Sequence, residues 1–123
     1  MAKILVVDDD PDVVEACRIF LEKEGHEVDS AGSRREGMAA IGKQTPDLLI
    51  LDVMMDQPDD GLGMARELRQ GGFTQPILML TSVSRVSGIE IGKDDDVLPV
   101  DEFVEKPVEP AVLAAKVNEL LSK

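Results

Sequence analysis

The sequence predicts an α/β fold in which a parallel five-stranded sheet is covered by helices on both faces. Three observations predict it. Apolar runs at Lys3–Val7, residues 48–51 and residues 76–81 are too short for independent helices and have the unbroken apolar character of strands buried on both sides. Segments with helical spacing of apolar residues separate them, and parallel neighbours need such crossovers. Chemically capable side chains also stand just past the runs, where sheets of this kind carry their sites.

Taken in order, Lys3–Val7 is the first strand, and Asp8-Asp9-Asp10-Pro11-Asp12 follows it. Val13, Cys17, Phe20 and Leu21 then recur at helical spacing, with Asp10 as N-cap, Pro11 in the first helical position and Gly25 as the stop. Asp12 suits the helix dipole, and His26 falls in a turn that is expected to be exposed. Residues 26–31 form a short second strand around Val28. Ser33-Arg34-Arg35-Glu36 is a capping-box pattern opening a helix that reaches about Ile41. Thr45-Pro46 punctuates the start of the third strand, which ends in Asp52.

Residues 61–70, with Leu62, Met64, Ala65 and Leu68, form a third helix stopped by Gly71-Gly72. The fourth strand, residues 76–81, ends in the hydroxyl of Thr81. The stretch from Ser82 to Asp101 has patchy apolar spacing, two glycines, a proline and the solvated run Asp94-Asp95-Asp96, so at most a short or frayed helix is expected there. Residues 102–105 form the fifth strand and Lys106-Pro107 a turn. Pro110 opens a last helix with Leu113, Val117, Leu120 and Leu121 on one face.

The totals bound the function. With 123 residues, 43% of them hydrophobic, the chain has material for one compact domain, and no internal repeat or linker divides it. Lys and Arg total 13 against 25 Asp and Glu, so the formal charge is 13 − 25 = −12, which argues against nucleic acid or an anionic membrane as direct partner. A divalent cation or a basic protein surface fits better. Three Phe with no Trp or Tyr make stacking on bases unfavourable, and the core must be aliphatic, helped by six Met. The single Cys17 sits in an apolar helical pattern as a buried thiol, and no signal segment or long apolar span appears, so a cytoplasmic protein is expected.

At the carboxyl ends of the strands stand Asp8 and Asp9, then Asp52, then Thr81, then Lys106. Three carboxylates in one place repel unless a cation sits among them, and hard oxygen donors suit Mg²⁺. Lys106 adds a fixed positive charge. Such a set fits phosphoryl chemistry: a carboxylate attacks phosphorus while positive charge and a hydroxyl stabilise the equatorial oxygens. Each residue alone has a plainer reading, as a cap, a strand-end hydroxyl or a surface lysine. Only their joint placement carries the chemistry.

Val6-Val7-Asp8-Asp9, Leu51-Asp52, Leu80-Thr81 and Lys106-Pro107, in this order and near the usual spacings, resemble the receiver domain of two-component response regulators. The resemblance covers essentially the whole chain. It implies a flavodoxin-like (βα)₅ doubly wound sheet of order 2-1-3-4-5, here with a short or irregular fourth helix, and a receiver domain over residues 1–123 without an output domain. It also implies a phosphorylation-dependent signalling switch. Asp52 would accept a phosphoryl group from a sensor histidine kinase or a histidine phosphotransfer protein. Asp9, Asp52 and the backbone carbonyl of Met54 would hold Mg²⁺, with Asp8 acting through a metal-bound water. Thr81 and Phe103 match the switch pair, and Lys106 precedes a peptide bond for which proline makes the cis form accessible.

Not an enzyme in the ordinary sense, such a protein would catalyse only its own phosphorylation and dephosphorylation. It would signal in trans, by altered affinity for a downstream protein or by onward phosphotransfer, as a monomer or a phosphorylation-dependent dimer. Two rival readings remain at this point. One is an aspartyl phosphatase of the haloacid-dehalogenase kind, with its nucleophile in Asp8-Asp9-Asp10; the other is a degenerate receiver serving as a phosphorylation-independent scaffold.

The chain departs from the family pattern in two places. Asp56 stands where a proline is usual and Pro58 follows late, so the loop after Asp52 runs about one residue longer; the span from Thr81 to Lys106 is about three residues longer and lacks a Gly-Ala before the fifth strand. Residues 84–101 are therefore expected to be partly irregular, with partner contacts of their own. Met54 and Val83, two beyond the phosphoacceptor and two beyond the threonine, cannot orient a water, so slow self-hydrolysis is expected. Met55, like Met54, is otherwise read as loop packing.

Overall fold

A computed structural model describes residues 2–52, 60–82, 100–106 and 108–122, with Asp60, Ser82 and Lys106 described by their backbone. The elements in chain order are β1 (Lys3–Val7), α1 (Pro11–Lys23), β2 (Glu27–Ala31), α2 (Arg34–Lys43), β3 (Leu48–Asp52), α3 (Asp60–Gln70), β4 (Ile77–Ser82), β5 (Glu102–Lys106) and α4 (Pro110–Leu121). All strand pairs are parallel, in the order β2-β1-β3-β4-β5. The helix expected between the fourth and fifth strands falls on residues outside those described.

The strands alternate between two cores, as the period of two requires. Ile4, Val6, Leu48, Ile50, Leu78, Leu80 and Val104 face α1 and α4 and meet Cys17, Leu21, Leu113, Val117 and Leu120. Leu5, Val7, Leu49, Leu51, Ile77 and Met79 face the other way, toward Met64, Ala65 and Leu68 of α3. β3 is buried along its whole length because both its neighbours and both its faces are covered. The thiol of Cys17 is buried, as its place in the helical pattern implied.

The helix starts follow the local chemistry. Asp10 caps α1, its Oδ1 accepting the N–H of Asp12 at 2.9 Å, and Pro11 opens the helix. At α2 half of the capping box forms as expected, Ser33 Oγ accepting the Glu36 N–H at 3.1 Å, while Glu36 Oε1 reaches one residue further back and accepts the N–H of Gly32 at 2.9 Å. α2 runs to Lys43, two residues past the expected end. Gly37 lets this helix lie close to the sheet, because a Cβ there would stand 2.9 Å from both Met64 Cε and Val7 Cγ2.

One expectation is overturned. His26 is half-buried, not exposed, and its Nδ1 accepts the N–H of Ala2 at 3.2 Å. The ring sits where the chain entering β1 passes the turn into β2, so an imidazole there joins two segments that pairing brings together.

Candidate functional site

The carboxyl ends of β1 and β3 lie side by side because Val7 pairs with Leu51, which puts Asp8 and Asp52 at the same edge. Both are nearly out of solvent, Asp8 at 2% and Asp52 at 5% exposure, whereas Asp9 is exposed. One carboxylate oxygen from each of Asp8, Asp9 and Asp52 lies within 4.8 Å of the others. The sequence singled out these three acids, and the fold brings them together.

Backbone geometry aims the first two. The N–H of Asp8 continues the β1–β2 ladder by donating to the Ala31 carbonyl at 3.1 Å, and Asp8 Oδ1 accepts the Asp10 N–H at 2.9 Å. With Asp10 in turn binding the Asp12 amide, successive side-chain turns fix the loop from strand to helix. Asp8 is thereby oriented inward and Asp9 left at the rim.

Three hard carboxylate oxygens, two from buried residues, are the kind of donor set that Mg²⁺ takes while keeping several waters. Among the described residues, a soft or nitrogen-seeking metal finds no sulfur or imidazole in this cluster. The residues thus fit Mg²⁺ in donor chemistry.

Thr81 stands at the same edge one strand further on. Its neighbour Leu80 pairs with Asp52, so the hydroxyl comes one residue above the acid. Thr81 is 4% exposed, and its Oγ1 is buried with no hydrogen-bond partner among the described residues. A buried hydroxyl left in that condition costs about 1–3 kcal/mol, and an incoming acceptor oxygen removes the cost.

Lys106 closes β5 opposite Ser82, which places its backbone at the edge next to Thr81. Phe103 pairs with Met79 three residues below, half-buried against the α2/α3 core. Met54, Val83 and Pro107 lie outside the described residues. Sequence reasoning missed a different group at the opposite edge: Arg69 of α3 and Asp101 before β5 form an ion pair at 2.9 Å. No local pattern marks two such residues as partners across 32 positions.

Among the described residues, no helix is long and apolar enough to cross a membrane. A family model described as "Response regulator receiver domain" matches residues 4–118. The chain is 35% identical to the alkaline phosphatase synthesis transcriptional regulatory protein PhoP of Bacillus subtilis, a match covering 98% of this chain and 49% of that protein. It spans about half the length of the curated relatives it matches. Among solved structures, a putative response regulator from Chloroflexus aurantiacus superposes with a TM-score of 0.83 at 34% identity, covering 99% of this chain and 98% of that one. The response regulator TrrA of Thermotoga maritima, solved in complex with Mg²⁺-BeF, gives a TM-score of 0.82 at 33% identity and covers 98% of this chain and 99% of its own. With the sheet order, the acid cluster at the strand ends and a family model that spans nearly its whole length, this chain belongs to the response regulator receiver domain family.

Proposed function

We propose that the protein is a phosphorylation-dependent switch in which Asp52 accepts a phosphoryl group from a phosphohistidine of a sensor kinase or a histidine phosphotransfer protein. The observation that carries this reading is the convergence of the Asp8, Asp9 and Asp52 oxygens within 4.8 Å, at the edge where a buried Thr81 hydroxyl has no partner among the described residues. The family match argues against the haloacid-dehalogenase reading and supports Asp52, at the end of the third strand, as the nucleophile.

In the transfer, a carboxylate oxygen of Asp52 forms the new P–O bond as the P–N bond to imidazole breaks, and the leaving nitrogen keeps the electron pair and takes up a proton. Asp8, Asp9, Asp52 and the backbone carbonyl of Met54 are the groups that would hold Mg²⁺. When bound, the ion supplies positive charge that stabilises the phosphoryl oxygens. Lys106 adds a second positive charge at the end of β5, and the Thr81 hydroxyl donates to one phosphoryl oxygen. The product carries about −1.5 to −2 charge with three acceptor oxygens, which draws Thr81 inward and biases Phe103 between two positions. The signal is a changed affinity for a partner that docks near β5 and the last helix.

The test is incubation with acetyl phosphate and Mg²⁺, followed by mass-spectrometric mapping of the adduct. An acylphosphate on Asp52, lost in Asp52→Asn, is expected. A chain that takes no phosphoryl group from acetyl phosphate or from a panel of kinases would instead be a scaffold that works without phosphorylation.

A further inference from the structure

β5 is an edge strand of the sheet and, among the described residues, pairs with β4 alone. It carries two residues of the proposed switch, Phe103 and Lys106, so its register against β4 decides where they stand. Its own sequence specifies that register weakly. Its apolar residues, Phe103 and Val104, are adjacent and belong to opposite cores. A slip of one residue would still give each face an apolar side chain, whereas a strand with strict alternation would expose its whole apolar set.

Side-chain ties at the start of the strand bear on that register, Lys116 pairing with Glu102 at 3.1 Å and Asp101 reaching across to β4. Asp101 takes both backbone groups of Ile77, the first residue of β4: its N–H donates to the Ile77 carbonyl at 2.9 Å, and its Oδ2 accepts the Ile77 N–H at 2.8 Å. That same Oδ2 accepts from Arg69 Nη2 at 2.9 Å. Arg69 is anchored in turn, its Nη1 donating to the carbonyls of Phe73 at 2.9 Å and Gln75 at 2.8 Å, with the guanidinium 5.7 Å from the centre of the Phe73 ring. One carboxylate therefore ties the entry of β5 to the entry of β4, and one guanidinium ties both to the end of α3.

We propose that Asp101, held by Arg69, is a positioning residue for phosphoryl acceptance. It fixes the β4–β5 register and so sets the heights of Phe103 and Lys106 relative to Thr81 and Asp52, across the five residues, about 16 Å of strand, that separate it from Lys106. This rests on the phosphotransfer reading above. The acids that would hold Mg²⁺ follow β1 and end β3, which do not pair with β5, so the clamp acts on one half of the site and leaves the other alone.

The experiment compares the full chain with Asp101→Ala, Asp101→Asn and Arg69→Met. The initial rate of acylphosphate formation from acetyl phosphate is measured at saturating Mg²⁺. Mg²⁺ affinity is measured by calorimetry, and folding by circular dichroism. Asp101→Ala is expected to slow labelling at least about tenfold, since misplacement by an ångström or so is costly to a reacting constellation. Its Mg²⁺ affinity stays within about twofold, and Asp101→Asn, which keeps an acceptor for Ile77, recovers most of the rate.

Wild-type labelling rates in folded Asp101→Ala would overturn the proposal. So would a parallel fall in Mg²⁺ affinity, which would mark a general loosening. If Asp101→Ala does not fold, Arg69→Met decides, because it keeps an acceptor for the Ile77 N–H but frees the Asp101 carboxylate from the guanidinium that holds it: slower labelling with intact Mg²⁺ affinity supports the proposal and an unchanged rate refutes it. Absence of labelling in the wild type, from acetyl phosphate and from a panel of kinases alike, would bring down the phosphotransfer reading itself, a result seen before any variant is compared.

Discussion

Asp52→Asn should make the metal-free protein more stable while removing most of its stabilisation by Mg²⁺. Asp8 and Asp52 are both at least nine-tenths buried, and their oxygens lie within 4.8 Å. At an effective dielectric of about 20, two unit charges at the outer limit of that range repel by roughly 3.5 kcal/mol. Nearby dipoles and charges offset part of this, and Asp9 adds less because water screens it, so relieving one charge should stabilise the apo fold by about 1–3 kcal/mol. For a chain of this size that is a rise in Tm of roughly 3–12 °C. Mg²⁺ at 100 times its Kd should stabilise the wild type by about 2.7 kcal/mol, and the Asn variant, with one hard anionic ligand replaced by a neutral amide, by much less. The assay is thermal and urea unfolding followed by far-UV circular dichroism, with chelator and with Mg²⁺. Destabilisation of the apo protein by Asp52→Asn, or equal Mg²⁺ stabilisation of both proteins, would refute the electrostatic account of the cluster.

Other outcomes follow from packing and from the loop sequence. Gly37→Ala and Gly42→Ala are the same substitution in one helix with opposite expected signs: at Gly42 a Cβ meets nothing within 4 Å, whereas at Gly37 it meets Met64 Cε and the stiff Val7 methyls at 2.9–3.1 Å. Urea unfolding should show Gly42→Ala gaining about 0.5–1 kcal/mol from backbone entropy. Gly37→Ala should lose about 1 kcal/mol net, since overpacking exceeds that gain, and a gain at Gly37 would show that α2 is free to move off β1. Ser33→Ala, which removes the acceptor for the Glu36 N–H, should cost about 1 kcal/mol in the same assay. Finally, Met54 and Val83 stand at the two positions that the family resemblance assigns to water-orienting residues, so the proposed Asp52 acylphosphate should hydrolyse slowly in purified protein with Mg²⁺, and a half-life of seconds would contradict this.

Much of the site was legible because a parallel sheet turns sequence position into spatial position. Every strand presents its carboxyl end to the same edge, so listing Asp8, Asp52, Thr81 and Lys106 as strand ends already listed them as neighbours. The strands were legible for a related reason: β3, buried on both faces, has to be apolar at every position before Asp52, and no helix fits in that length. Strand order came from family resemblance, since spacing alone does not say that β1 lies between β2 and β3. What stayed hidden depends on contacts far apart in the chain. Arg69 and Asp101 each look like ordinary surface residues, and His26 looks like a turn residue until the entry to β1 is laid beside it. Gly37 looks like a poor helix former until Val7 and Met64 are seen where its side chain would go.

The sheet divides the proposed work by how firmly each strand is held. β1 and β3 pair on both sides and are covered on both faces, and they deliver the acids that must stay in place for a cation to bind among them. β5 pairs on one side only, and it carries Phe103 and Lys106, groups whose proposed role is to respond. An edge strand is the natural home for a responding element, because fewer ladder bonds and contacts must yield when it shifts. That freedom is useful only if the strand moves about a fixed point rather than sliding out of register. Asp101 supplies such a point at the edge remote from Asp52, where its carboxylate holds the first amide of β4 and the guanidinium of α3 together. In the proposed switch, rigid acids and a pivoted edge strand together would let a local change of charge at Asp52 become a change of surface at β5 without disturbing the cation site.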